Sequence, residues 1–281
     1  MDRNFDRISE SAGIDAAFRR AKEEMEPEQL NLEDFRGSED YTDKEIEKDS
    51  AYIQKSEDFF ERNDTKEPEK LEARKLGLVF EWIMHRQAEL GNWLGPNAVT
   101  IKTSKFDDFK NGVDDVVEFQ GGESETSHLA LAIDTTIGGD SVSKLRRIKE
   151  EIDAGQLGEI KYFYSEHTNF KGRLTNVPRV VIGVDGTTIG ELTNLWMSGD
   201  KKALNTHKIQ FQILKEIILQ AETFRDYALR IGKDGVAGVY GNLAVQTRKI
   251  YEEKAQETGV KTDDFDSAYN ALKFNLKIFE S

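Results

Sequence analysis

The sequence predicts an α/β fold: a mixed β-sheet core flanked by helices, with a helical N-terminal arm and a helical C-terminal region. Short runs rich in Val, Ile and Leu, bounded by Gly, Ser and Glu, cluster between residues 97 and 184 and read as strands. Stretches with apolar residues at helical spacing lie on both sides of them. The order helix, three strands, helix, strand suggests an antiparallel meander followed by a crossover, which puts a helix on each face of the sheet.

The chain has 281 residues and no cysteine, so disulfides, thiolate zinc sites and iron–sulfur clusters are excluded. No stretch approaches the ~20 apolar residues of a membrane helix, and Met1-Asp2-Arg3-Asn4-Phe5-Asp6 lacks the apolar run of a signal peptide. A cytoplasmic protein with no membrane partner is the expectation; oligomeric state is not legible. Net charge is −14, yet residues 1–66 alone hold 20 acidic and 11 basic side chains. The acidity is therefore concentrated in the arm, which weakens the objection that an acidic chain repels nucleic acid. Phosphate binding still needs a local basic surface.

Three regions follow. Residues 1–66 form an acidic, solvated helical arm, with helices suggested around Ala16–Lys22 and Asp43–Arg62 and a loop-like link from Pro27 to Thr42. Residues 67–205 form the α/β core. Its first helix, 67–91, carries an apolar stripe of Leu71, Val79, Phe80, Ile83 and Leu90, with Glu81 standing inside it. Gly91 and Pro96 end it. Asn97–Thr103 reads as a strand. Two more follow, Gly112–Phe119 and His128–Thr136. An amphipathic helix then runs over Lys144–Ile152, with Leu145, Ile148 and Ile152 on one face. Gly158–Ser165 is a short strand and Arg179–Val184 a buried one, stopped by Asp185-Gly186. Residues 206–281 form the helical C-terminal region: Thr206–Ile231, Gly241–Gln256 and Asp264–Phe279.

The two central strands bear carboxylates among residues that otherwise belong to a core. Asp114 and Asp115 precede Val116-Val117, and Asp134 follows Leu129-Ala130-Leu131-Ala132-Ile133. Aspartate is depleted in strands, and a buried acid is costly unless something binds it, a divalent cation being one such partner. Neighbouring strands lie ~4.8 Å apart, so acids on both can share one ion. Asp134 and Thr136 sit two apart and share a face of their strand. Against this stand ordinary readings: turn chemistry for the Asp pair, a boundary residue for Glu81, an ordinary strand threonine for Thr136. The four histidines, His85, His128, His167 and His207, show no paired metal spacing and read as structural. No phosphate-binding Gly-Lys-Ser/Thr loop and no nucleophile elbow is present.

Glu81 on the first helix, Asp114-Asp115 opening the second strand and Asp134-Thr135-Thr136 on the third resemble the core of the PD-(D/E)XK nuclease superfamily over residues 67–185. The resemblance implies a restriction-endonuclease-like sheet and a divalent-metal-dependent nuclease using Mg²⁺ or Mn²⁺. It implies metal ligation by Asp115 or Asp114, Asp134 and Glu81, and a nucleic-acid partner, DNA in preference to RNA. Thr136 stands where that family has lysine. Thr136 would then position a water or a phosphate oxygen, and Lys144, just after the third strand, is the first choice to supply the missing charge. Lys149, Lys102 and Lys105 are further choices. The alternative is an inactive nuclease-fold protein acting as a nucleic-acid or protein binding module.

Overall fold

The computed structural model describes residues 3–64, 68–120, 126–135, 141–258 and 265–280; among these, the side chains of 3–12, 63–64, 68–70 and 126–135 are not described. The helices are α1 (Arg3–Met25), α2 (Asp43–Asp64), α3 (Pro68–Leu90), α4 (Ser141–Ala154), α5 (Gly186–Ser198), α6 (Lys201–Asn205), α7 (Ile209–Arg230), α8 (Asp234–Thr258) and α9 (Ser267–Asn275). The strands are β1 (Ala98–Lys102), β2 (Asp115–Gln120), β3 (Thr126–Thr135), β4 (Gly158–Ser165), β5 (Phe170–Val177) and β6 (Arg179–Val184). The fold is thus mixed α/β.

The main sheet has the order β1-β2-β3-β6. β2 is antiparallel to both neighbours, and β3 is parallel to β6, so β2 alone runs against the other three. The α4 crossover joins that parallel pair, which a hairpin turn cannot do. Residues of β2 are buried on both faces. Val117 and Phe119 join the main core with Val79, Phe80 and Ile83 of α3, whereas Val116 packs with Ile160, Phe163 and Val177 of the β4–β5 hairpin. That parity turns Asp115 toward α3.

β6 is an edge strand of this sheet, and its outward backbone groups are satisfied by side chains. The Tyr240 hydroxyl accepts from Arg179 N (3.3 Å) and donates to Arg179 O (3.2 Å). Gln220 accepts from Val181 N (2.8 Å) and donates to Val181 O (2.7 Å). Glu216 accepts from Gly183 N at 2.9 Å, Gln212 donates to Gly183 O at 3.2 Å, and Asp266 accepts from Asp185 N at 3.0 Å. An exposed strand edge invites pairing with another chain; here helical side chains close it.

Two sequence expectations change. The hairpin partner β5 is not foreseen by the sequence pattern, because its burial is irregular and its residues are mostly polar. Nor is the N-terminal arm simply a solvated appendage. Ala17, Ala21 and Met25 of α1 are buried in the main core, and Leu32, Phe35, Tyr41 and Ile46 build a second cluster with Phe106 and Tyr162. Tyr162 hydroxyl and Lys161 Nζ both reach Asp49, at 2.9 and 2.6 Å, so α2 is tied to β4. Among the described residues no helix is long and apolar enough to cross a membrane.

Candidate functional site: a buried chain of alternating charge

Five side chains from four segments form one line across the end of the sheet nearest α3. Lys102 closes β1 and pairs in register with Asp115, the first residue of β2. Its ammonium is wholly buried; it donates to Glu81 of α3 and to Asp114 O (2.7 Å), and stands 3.8 Å from Asp115 Oδ2. The other carboxylate oxygen of Asp115 meets His85 Nδ1 at 2.8 Å, and His85 Nε2 meets Glu28 Oε2 at 2.9 Å. Glu28 follows α1, and Arg86 holds its second oxygen at 2.8 Å. Read from the arm inward, the order is Glu28, His85, Asp115, Lys102, Glu81, with alternating sign.

The local fold dictates this line. Glu81 and His85 are four apart on α3 and therefore neighbours on one helix face. Lys102 and Asp115 oppose each other across the β1–β2 ladder, where Cβ atoms lie ~5 Å apart. Trp82 stacks on the His85 ring at a centroid distance of 5.4 Å and covers it from water.

Electrostatics follow from burial. Burial works against a charged His85, but the Asp115 charge and hydrogen bonds from Asp115 and Glu28 overcome it and raise its pKa to about 9. It is an imidazolium at neutral pH. Burial would raise Asp115, yet Lys102 and His85 hold it below the usual carboxylate range. Lys102 is pushed upward by Asp115, Glu81 and Asp114 in spite of burial. Glu81 moves the other way: burial, then repulsion from Asp114 and Asp115, raise it to about 7 even with Lys102 in contact. The two partners thus titrate differently because one lysine serves several acids. Lys102 stays charged, and Glu81 is the member that takes up a proton.

A further acid joins from the turn between β1 and β2. Residues Asp107–Asn111 form a π-helical turn, a feature frequent at functional sites. Asp107 anchors it: its carboxylate accepts from Lys161 N (2.7 Å), Tyr162 N (3.0 Å), Ser104 Oγ (2.8 Å) and Asn111 Nδ2 (2.7 Å). Asp108, the next residue of the turn, interacts electrostatically with Asp114, Glu81 and Lys102. Its carboxyl rises well above the ordinary value through burial first, then Asp114 and Glu81. Lys144 at the start of α4 acts on Asp108 in the opposite direction.

Comparison of the chain with protein-family models, curated proteins and solved structures finds no match. The site is therefore read from its own geometry. Of the residues singled out in the sequence, Glu81, Asp114 and Asp115 meet around Lys102. Lys144 is half-buried and acts on Asp108. Asp134 is paired through its backbone with Gly183, near the end of β3; its side chain is not described, and Thr136 lies outside the described residues. Sequence reasoning missed His85, Asp108 and Glu28. For His85 a signal was available, since it lies one helical turn after Glu81. Among the described residues no three His, Asp or Glu side chains stand close enough together to hold a metal ion by themselves.

Proposed function

We propose that this chain is a divalent-metal-dependent phosphodiesterase acting on nucleic acid, built on a restriction-endonuclease-like core. One observation carries the reading. Asp115 opens the one reversed strand of the sheet β1-β2-β3-β6, is held ionised by a buried lysine and an imidazolium, and has a buried oxygen, Oδ2, that accepts no hydrogen bond. An anionic oxygen with no hydrogen bond, its nearest charge the Lys102 ammonium at 3.8 Å, beside further acids suits a hard cation. Mg²⁺ needs only one or two carboxylates, because it keeps waters and takes phosphate oxygens from the substrate. Asp115, Asp114 and Asp134 are the proposed ligands, with Glu81 as a further ligand or base. The ion would polarise the phosphate and supply an activated water. Lys102 takes the part proposed for the lysine absent at position 136, with Lys144 as a second charge beside Asp108 and Thr136 positioning a water or a phosphate oxygen. The half-protonated state of Glu81 near pH 7 suits proton transfer in either direction.

The test is cleavage of labelled oligonucleotides with Mn²⁺ or Mg²⁺. Asp115→Asn and Asp134→Ala should each lower the rate at least ~100-fold, the usual cost of losing an electrostatic stabiliser. Cleavage that survives both changes removes the assignment.

A second reading is favoured by the contact of Lys102 with both Glu81 and Asp115. A lysine that already neutralises the acids suits a binding module with a silent centre. Calorimetric titration with Mn²⁺ separates the two, since heat that disappears in Asp115→Asn speaks for the enzyme.

A further inference from the structure

The turn that delivers Asp108 to the acidic centre delivers its next residue, Phe109, to a different place. Phe109 closes a groove of about 330 Å³ lined by Tyr52, Lys55, Ser56, Phe59, Phe60 and Phe109. That size lies at the lower end of small-ligand sites. Tyr52, Lys55, Ser56, Phe59 and Phe60 recur at helical spacing along one face of α2. The rings are pre-arranged: Phe60 meets Phe59 edge-on at 5.8 Å and Phe109 at 5.5 Å, and the Tyr52 hydroxyl donates to Phe109 O at 3.5 Å. Phe59 is nonetheless 61 % exposed, a large cost for a ring with nothing on it.

Three cations border the groove, while the neighbouring acids Glu57 and Asp58 of α2 are paired with Lys105 (2.6 Å) and Arg62 (4.0 Å). Lys110 Nζ stands 5.5 Å from the Tyr52 ring, the Arg74 guanidinium lies 4.6 Å over Phe60, and Lys55 is in the wall itself. Behind Lys110, Arg147 of α4 donates to Lys110 O at 3.0 Å, and Lys144 is one helical turn earlier on the same helix. Lys144 in turn acts on Asp108 of the acidic centre.

We propose that this groove is a stacking subsite for an unpaired base of a single-stranded nucleic acid, whose phosphates pass Lys55 and Lys110 toward the acidic centre. Exposed aromatic rings interleaved with lysine are what an unstacked base and its phosphate require, and every base offers a face to stack. A paired base in a duplex presents no such face, so the subsite selects single strands. The proposal rests on the phosphodiesterase reading for its purpose, but its recognition chemistry is separate.

The experiment measures fluorescence anisotropy of labelled oligothymidylate and oligouridylate, each about 12 nucleotides long, and of a duplex, with the full chain and with EDTA present so that no hydrolysis intervenes. Phe59→Ala should weaken single-strand binding about 5-fold or more, the loss of one stacked base, and leave duplex binding unchanged. Phe59→Trp should restore it. Lys55→Gln should lower the slope of log affinity against log salt by about 0.7, one phosphate contact on a single strand. Equal single-strand affinity in wild type and Phe59→Ala, or no binding by wild type, overturns the proposal. Binding sensitive to Phe59 in a protein that never cleaves would sustain the subsite and sink the phosphodiesterase reading instead.

Discussion

Replacing Lys102 by Met is the sharpest probe of the charge line. The side chain is wholly buried and touches Glu81 and Asp115. Met matches its length and removes only the charge and the donors. Breaking a buried ion pair from one side costs about 3–5 kcal/mol, because the remaining charges stay buried without a partner. With a urea dependence of about 3 kcal/mol per M for a chain of this size, the unfolding midpoint should fall by about 1–2 M at pH 8. The penalty must also depend on pH. In the native protein Glu81 holds its proton up to about pH 7, against an ordinary value of 4.5 in the unfolded chain. Between those values the native state binds more protons, so this group stabilises the fold as pH falls. Going from pH 8 to pH 6 returns about 1.4 kcal/mol to the wild type. In Lys102→Met, where Glu81 titrates higher still, it returns more, up to about 2.7 kcal/mol. The gap between the two proteins should therefore narrow by up to about 1.4 kcal/mol on acidification. The double variant Lys102→Met/Glu81→Gln should recover at least about 1 kcal/mol at pH 8. A penalty under about 1 kcal/mol at pH 8, or one that grows toward pH 6, refutes the arrangement.

Further outcomes follow from the same contacts. The imidazole of His85 should titrate near pH 9 by two-dimensional NMR, and its share of stability, about 3 kcal/mol, should be complete below pH 6.5 and vanish as pH rises to 9; a midpoint at or below 6.5 contradicts the contact with Asp115. Glu28→Gln should lower that midpoint without abolishing the fold, because Asp115 still holds the other nitrogen. Gln220→Leu strands the Val181 N–H and C=O, so urea unfolding should report a loss of about 2–4 kcal/mol; a neutral result would mean that water replaces the amide. Gly112 has φ +61° and room for a methyl group, its nearest neighbour being Arg147 Nη1 at 3.8 Å. Gly112→Ala should therefore cost only the left-handed backbone penalty, about 1–2 kcal/mol by thermal unfolding.

Much of the frame is legible in the chain. Helix and strand periods mark α3, β1, β2, β3, α4 and β6 within a few residues, because each has one apolar face or a continuous apolar run. Glu81 and Asp115 stand out because acids interrupt those runs. The omissions have physical causes. β5 reads Phe170-Lys171-Gly172-Arg173-Leu174-Thr175-Asn176-Val177, a polar partner for a hairpin whose other strand supplies the apolar contacts. Lys102 looks like a strand-end lysine reaching solvent; only the β1–β2 register sets it opposite Asp115. His85 and Glu28 are 57 residues apart, and nothing local signals that α1 lies across α3. The acidic arm hides small buried residues, Ala17 and Ala21, whose faint pattern is swamped by charge.

The amide and carboxylate rungs along β6 also constrain how α7 can move. Four residues of a helix advance about 6.0 Å, while two residues of a strand advance about 6.6 Å. Gln212, Glu216 and Gln220 can therefore keep step with Gly183 and Val181 for only a short distance before the scales drift apart, like a vernier. Tyr240 and Asp266, from other segments, serve the two ends where the drift has grown. A slide of α7 by one residue would break the rungs of Gln212, Glu216 and Gln220 together, so this helix is locked to the strand in rotation and in translation at once.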